Sequence, residues 1–291
     1  MQSNEEQTLE MLSDEEFQSI FRMSRKTSIA LQAELDVLSN IDNESTDKNL
    51  LFCLWYLGNN EPITSAPHIF DLNEDAEEVL MVYLDKLTSL GANYIKWPDE
   101  EEFEQIEVGF KRMYGFPGVV GVIGSLHIHI ASQGNDSKYY NKEMKGDTIV
   151  LQVVTDNNLL LRDVFAGSPG GKDVETILKS SGLYQKLIDE NEYLTRCNKH
   201  LLGGTLHPQM KTLLTPYKVL GELTERQCKF NYLHNSVMFN VEQTFRCMEN
   251  RFLRLTTVDS LDPLLCSSVV SAICILHNFT RVRNDNCNIY M

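Results

Sequence analysis

Residues 145–184 read KGDTIVLQVVTDNNLLLRDVFAGSPGGKDVETILKSSGLY, and this stretch decides the fold class. Its two β-branched apolar runs, TIVLQVV and LLLRDVF, are separated by the turn sequence TDNN, which predicts a pair of antiparallel strands. The glycine-rich sequence SPGG then ends the strand pattern, and a helix is expected from Asp173 to about Ile188. Strands followed by a covering helix are typical of an α/β protein.

Sequences on both sides of this stretch extend the same layout. PGVVGVIG (117–124) and LHIHIAS (126–132) are short β-branched runs that precede it, and HLLGG (200–204) is a strand candidate that follows it. Helical apolar spacing across residues 235–255 and 262–279 predicts two final helices. Antiparallel strands, a crossover helix, a central strand and covering helices together predict a mixed sheet with helices on its faces.

The chain divides by charge into a polar tail (1–10) predicted to be disordered, an acidic helical region (11–110) and the sheet domain (111–291). Residues 1–110 hold 24 Asp and Glu against 6 Lys and Arg, whereas residues 111–291 hold 17 against 20. A strongly negative field repels phosphate, so the acidic region is expected to meet a basic protein surface rather than DNA.

Helices are expected in the acidic region after a capping box at Ser13, then across residues 29–38 and 51–57. Residues 61–90 have the outline of a helix-turn-helix, with helices from Ser65 to Ile69 and from Asn73 or Glu74 to Leu87, and with Asp71 and Asn73 as cap candidates. Because the second helix carries five acidic residues against Lys86 alone, it would lose phosphate contacts. A structural helical pair is therefore favoured over a DNA-reading element.

The cysteines and the apolar runs indicate a reduced protein that does not span a membrane. The seven cysteines are odd in number, lack a CxxC pair and stand mostly in apolar segments, which is typical of buried thiols in a cytosolic or nuclear protein. The longest apolar stretch, Leu264 to Leu276, contains three serines and is expected to be a buried helix. The N-terminus has no leader pattern.

Four segments carry motifs at characteristic spacings: FPGVVGVIGSLHI (116–128), the 145–184 stretch, LLGGTLHP (201–208) with TPY (215–217), and NYLHNSVMFNVEQTFRCMENRF (231–252). Together they resemble the DDE superfamily endonucleases of the PIF/Harbinger transposase group, which includes transposase-derived nucleases domesticated by animals and plants. The resemblance implies an RNase H-like fold whose three carboxylates hold two divalent metals, Mg²⁺ or Mn²⁺. In such a site one metal lowers the pKa of the attacking water and the other neutralises the leaving oxygen.

The positions that match the family's three acids are Gly124 in GVIGSLHI, Gly204 in LLGGTLHP and Glu242 in VEQTF. Met238 stands where the family has arginine, and His207 where it has an aromatic residue. A single carboxylate is too few ligands for two hard cations. We therefore expect a pseudo-nuclease that is not an enzyme, with no catalytic residue, no metal and no cofactor.

Two metal-binding alternatives stay open. Acids relocated to Asp156, Asp163 or Asp173 could join Glu242 in a metal-dependent nuclease, although catalytic geometry tolerates shifts of only about half an ångström. His127 and His129 form an HxH sequence that places both side chains on one face of a strand, as a metal pair requires. A packed or hydrogen-bonded histidine is favoured there.

Local basic residues are candidates for nucleic-acid contact, set against the alternative of a solvated face. They flank two tyrosines in one segment and follow the Glu242 helix in another: Lys138, Lys142, Lys145, Arg246, Arg251 and Arg254. Any DNA contact is expected to be weak or indirect. A residual DNA-binding protein without chemistry is one alternative function.

The leading hypothesis is a domesticated, catalytically inactive Harbinger-type transposase that acts as a protein-interaction module in chromatin or transcriptional regulation. The resemblance implies a separate Myb/SANT-like or MADF-like DNA-binding partner, which the acidic region would meet. The expected location is the nucleus, with the cytoplasm as the alternative.

Overall fold

The computed structural model describes residues 11–39, 48–70, 72, 75–132, 134, 137–219, 221–260 and 262–285, and the tail predicted over residues 1–10 lies outside them. The chain is a mixed α/β protein that forms two compact units. Unit 1 comprises residues 1–94, 129–131 and 247–291, and unit 2 comprises residues 95–128 and 132–246.

Unit 1 is built mainly from helices. They are α1 (Asp14–Phe21), α2 (Arg25–Ser39), α3 (Lys48–Gly58), α4 (Ala66–Phe70), α5 (Ala76–Ser89), α6 (Gly91–Tyr94) and α12 (Pro263–Val282), with short 3₁₀ turns at Ile63–Ser65 and Leu253–Leu255. The predicted capping box is confirmed, because the Ser13 hydroxyl accepts from the Glu16 backbone N–H at 3.2 Å and the Glu16 carboxylate accepts from the Ser13 N–H at 2.8 Å.

The predicted helical pair corresponds to α4 and α5. Asp75 caps α5 by accepting a hydrogen bond from the Glu77 backbone N–H at 2.8 Å. The predicted cap candidates Asp71 and Asn73 lie outside the described residues. The inner face of α5 is apolar and buried, as a structural helix requires: Val79, Leu80, Tyr83, Leu84 and Leu87.

The C-terminal helix α12 is the buried apolar helix that the sequence predicts. By length and composition it could cross a membrane, but 67% of its most apolar window is buried inside the protein. Cys266 and Cys274 are buried along it. The buried thiols expected from the sequence are confirmed for Cys53 as well, whereas Cys197, directly after α10, and Cys228, in the first turns of α11, are exposed.

Unit 2 holds most of the sheet and the helices around it. Its elements are α7 (Glu100–Tyr114), β1 (Val119–Ile130), β2 (Tyr140–Asn141), β3 (Gly146–Thr155), β4 (Leu161–Pro169), α8 (Val174–Ser180), α9 (Gly182–Ile188), α10 (Tyr193–Arg196), β5 (His200–Leu202), β6 (Leu213–Leu214) and α11 (Glu225–Arg251). The last residues of β1 and of α11 belong to unit 1, where His129 and Ile130 pair with β7 (Thr257–Val258).

The strand order is β2-β3-β1-β5-β6, with β4 paired to β3 and β7 paired to β1. β3 and β4 are antiparallel, as predicted, whereas β5 runs parallel to β1 and to β6. The predicted mixed sheet is therefore confirmed. The runs PGVVGVIG and LHIHIAS form one strand rather than two, and the helix predicted from Asp173 is interrupted at Ser181.

The compact units do not follow the predicted boundary between residues 110 and 111. α7 belongs to unit 2, where it buries Phe103, Ile106 and Phe110, and the Phe103 ring stacks on Tyr193 with centroids 5.3 Å apart. α12 belongs to unit 1. A change of net charge along the chain describes its surface, whereas these units reflect which parts of the chain contact one another.

Candidate functional site

The topology aligns the two glycine positions that match the family's first two acids. Val122 of β1 lies opposite Leu202 of the parallel strand β5. Gly124 and Gly204 each lie two residues beyond that pair, Gly124 within β1 and Gly204 just past the end of β5. α11, which carries the third position, Glu242, packs on the same part of β1.

The Glu242 side chain points away from the sheet. α11 buries a stripe that includes Val237, Asn240, Val241 and Phe245, whereas Glu242 is exposed on the opposite stripe. Among the residues that the structure describes, its carboxylate has no hydrogen-bond or ion-pair partner. The one remaining acid is therefore a solvated side chain.

The position of the first acid is filled by packing. A Cβ atom at Gly124 would lie 2.6 Å from Cγ2 and 3.1 Å from Cγ1 of Val241, and 3.1 Å from Cε2 of Phe245. Gly124 is buried, and Val241 and Phe245 are only 3% and 8% exposed. In a close-packed interior such overlap forces neighbouring atoms to move. A carboxylate at position 124 has no space unless α11 shifts.

The position of the second acid is open. Gly204 follows the end of β5 and is partly exposed. The nearest atom to a Cβ built there is Nδ1 of His207, at 4.0 Å. A side chain at position 204 would therefore meet solvent and one imidazole ring.

The residues present do not fit a two-metal centre. Hard divalent cations take several oxygen ligands, and Glu242 supplies the only carboxylate among the three matched positions. Within the described ranges, no group of three or more His, Cys, Asp or Glu side chains is placed to hold a metal ion.

The acids proposed as relocated ligands have structural partners. Asp156 is fully buried and pairs with Arg162 Nε at 2.8 Å, and Asp163 pairs with Lys186 Nζ at 2.8 Å. Asp173 caps α8, and its hydrogen bonds to the first turn of that helix lower its pKa. These contacts favour a structural role for each of the three.

The histidines fall into two groups. His127 Nδ1 lies 3.0 Å from the Thr148 hydroxyl, which matches the favoured hydrogen-bonded histidine. Burial lowers the pKa of His200 to about 4 and that of His207 to about 4. In the sequence His207 is only a departure from the family pattern, whereas in the structure its ring lies beside Gly203 and Gly204.

The predicted basic segment forms an exposed surface on the β2–β3 hairpin. Lys138, Lys142 and Lys145 are exposed, and the Lys138 ammonium lies 5.2 Å from the centre of the Tyr139 ring. The backbone N–H of Gly171 donates to the Lys138 carbonyl at 3.1 Å, which brings exposed Lys172 to the same surface. Lys172 was not among the predicted contact residues, although its place directly after the SPGG turn is the signal for it.

The arginines of the Glu242 helix region differ in availability. Arg254 is 3% exposed and donates to backbone carbonyls of unit 1, and Arg251 pairs with Asp285, with Nη1 and Oδ1 3.1 Å apart. The structure corrects the nucleic-acid contact expected for these two, because their guanidinium groups are used inside unit 1. Arg246 is exposed, and its guanidinium lies 5.8 Å from the centre of the Phe239 ring.

Comparisons with known proteins place this site in a family context. Residues 123–278, which include all three matched acid positions, match the DDE superfamily endonuclease family. The chain is 25% identical over 293 residues to Antagonist of like heterochromatin protein 1 of Arabidopsis thaliana, covering 91% of this chain and 73% of that protein. It is 24% identical over 287 residues to an ALP1-like protein of the same plant, covering 90% and 70%.

Animal proteins also match. The chain is 26% identical over 200 residues to HARBI1 of Homo sapiens, an alignment that covers 67% of this chain and 55% of that protein. No solved structure matches the chain significantly.

Proposed function

The chain belongs to the DDE superfamily endonuclease family, and on this premise we propose that it is a domesticated Harbinger-type protein that has lost nuclease activity and acts in chromatin or transcriptional regulation. It works in the nucleus as a protein-interaction module, with a separate DNA-binding protein as its partner. It uses no metal and no cofactor.

The proposed loss of nuclease activity rests on the three positions that match the family's acids. Gly124 is closed by Val241 and Phe245, Gly204 has no side chain, and Glu242 faces solvent alone. Cutting a phosphodiester with metal ions requires ligands that fix each ion against the attacking and leaving oxygens. One exposed carboxylate supplies no such cage.

The role in chromatin is supported by the relatives. The name Antagonist of like heterochromatin protein 1 describes an action against a heterochromatin protein, and that relative aligns with 91% of this chain. A protein of this family without its acids retains its folded surfaces, so binding is the activity that remains to it.

The partner is expected to be basic, because the acidity is concentrated in one unit. Unit 1 contains 22 acidic and 9 basic residues, whereas unit 2 contains 19 and 17. Several acids of α7, in unit 2, are used in pairs with Arg162, Arg196 and Lys199. They are therefore less available to a partner than the sequence count suggests.

Helix α5 presents an exposed acidic surface of unit 1. Glu77, Glu78 and Asp85 are exposed on it, and Met81 and Val82 between them are 49% and 48% exposed. A helix face of this composition suits a basic, partly apolar protein segment.

Affinity purification of the tagged full chain from nuclear extract tests this function. We expect it to recover a basic DNA-binding or chromatin protein, and recovery should fall at high salt and in the variant Glu78→Lys with Asp85→Lys. The matched control is Glu143→Lys with Glu190→Lys, which makes the same change in charge at exposed acids of unit 2. Recovery of no such protein by the wild-type chain would contradict the proposal.

A second candidate function is weak nucleic-acid binding by the hairpin surface. It is favoured by the four exposed lysines that the hairpin and the SPGG turn bring together: Lys138, Lys142, Lys145 and Lys172. Binding to duplex DNA should then weaken steeply with salt, and Lys142→Glu with Lys145→Glu should lower that salt dependence. Unchanged salt dependence in the variant would count against this candidate.

A further inference from the structure

We infer that the first acid position has been closed and not merely vacated, so that the contact between α11 and β1 now requires glycine at position 124. The inference rests on the proposed loss of nuclease activity, and it predicts that restoring the acids alone does not rebuild the site.

The contact between α11 and β1 is closest where Val241 meets Gly124. With glycine at position 124, the Val241 side chain packs directly over the β1 backbone; the smallest added side chain would place its Cβ 2.6 Å from Val241 Cγ2. Ordinary contact between carbon atoms is about 3.5–4.0 Å. Val241 is β-branched, and in a helix such a side chain has one strongly preferred rotamer, so it cannot turn aside at low cost.

Helix α11 is also held against the sheet by Asn240, the residue before Val241. The Thr155 hydroxyl of β3 donates to the Asn240 side-chain oxygen at 2.8 Å, and both residues are fully buried. Moving α11 away from β1 to admit a side chain would stretch this buried hydrogen bond, which is costly to leave unmade.

The second position has neither restraint. Among the described residues other than its chain neighbours, the nearest atom to a Cβ at Gly204 is Nδ1 of His207, at 4.0 Å. The same kind of change from acid to glycine therefore has different consequences at the two positions. Aspartate at position 124 therefore requires either a smaller residue at 241 or a displaced α11, whereas aspartate at position 204 requires neither change.

A double-mutant cycle tests the closure by thermal unfolding of the full chain. The variants are Gly124→Ala, Val241→Ala and the two combined, with Gly204→Ala as the matched control. We expect Gly124→Ala to lower Tm by about 3 °C or more and Gly204→Ala to leave Tm almost unchanged. The double variant should be less destabilised than the sum of the single variants, because Val241→Ala removes the atoms that position 124 would meet.

The cycle distinguishes this inference from the function on which it rests. Equal Tm values for Gly124→Ala and the wild type, or additive effects in the double variant, would overturn the closure. If Gly124→Ala does not fold but the double variant does, the closure is supported. If Val241→Ala folds but the double variant does not, the closure is overturned. Metal-dependent DNA cleavage by the wild-type chain would instead refute the proposed function, whatever the cycle gives.

Discussion

Positions 124 and 204 match two acids of one family site, yet their surroundings differ. Gly124 lies within a central strand, where α11 covers it with Val241 and Phe245, whereas Gly204 lies just past the end of β5 and borders solvent and His207. Glycine in the middle of a packed sheet allows a helix to approach closely, while glycine at a strand end leaves an opening. A glycine at a position that matches a family acid can therefore be part of the core or border an opening.

The largest effect is expected for Gly124→Asp. The new carboxylate would be buried without a cationic partner and would overlap Val241, so we expect a loss of about 3 kcal/mol or more in the free energy of unfolding. Urea unfolding at pH 7 measures it. A variant as stable as the wild type would remove the distinction between the two positions.

A smaller effect is expected from acid pH through the histidine that borders the open position. Burial holds the folded-state pKa of His207 at about 4, below its unfolded value near 6.5. The unfolded chain therefore binds the proton more readily between these values, and stability is lost as pH falls from about 6.5 toward 4. The slope from this residue is at most about 1.4 kcal/mol per pH unit.

His207→Gln should weaken this pH dependence, because the replacement does not titrate. Urea unfolding of both proteins between pH 7 and pH 4.5 checks it, with stability at pH 7 as the internal reference. His200 has a similarly lowered pKa and will contribute a parallel loss in both proteins. If the unfolding free energies of the wild type and of His207→Gln change equally with pH, the His207 ring is hydrated.

Gly204→Asp should change stability by less than about 0.5 kcal/mol, since the position is partly exposed and has space for a side chain. It should also raise the pKa of His207, because an opposite charge at short range favours the protonated ring. An NMR titration of the histidine resonances measures this shift. A strongly destabilised Gly204→Asp variant would mean that both positions are closed.

The smallest effect is expected for Glu242→Gln. The side chain is exposed and lacks a partner among the described residues, so its charge contributes little to stability. We expect unfolding curves that superimpose on the wild type within about 0.5 kcal/mol. A clear loss of stability would show that this carboxylate has taken a structural role.

Local signals predicted much of the fold. The Ser13 capping box, the β3–β4 pair and the apolar helix α12 depend on residues close together in the sequence, and all three are present. The helix α7 was missed although Asp99 and Glu102 form a capping box of the same kind. Its run of acidic residues hid the apolar spacing of its buried face.

Tertiary contacts account for most of what the sequence did not predict. Motif spacing identified Gly124, Gly204 and Glu242, but only the packed structure brings Val241 onto Gly124 and turns Glu242 to solvent. Likewise, a charged side chain was expected at the surface, whereas Arg254 is buried because backbone carbonyls and the Tyr56 ring surround its guanidinium.

Calorimetric titration of Mg²⁺ and Mn²⁺ into the purified full chain tests the proposed loss of the metal site most directly, with Glu242→Gln as the control. We predict that the wild type and the control give the same heats and no binding of defined stoichiometry. Binding of one or two ions to the wild type that Glu242→Gln abolishes would contradict this account and restore a metal-dependent nuclease as the function.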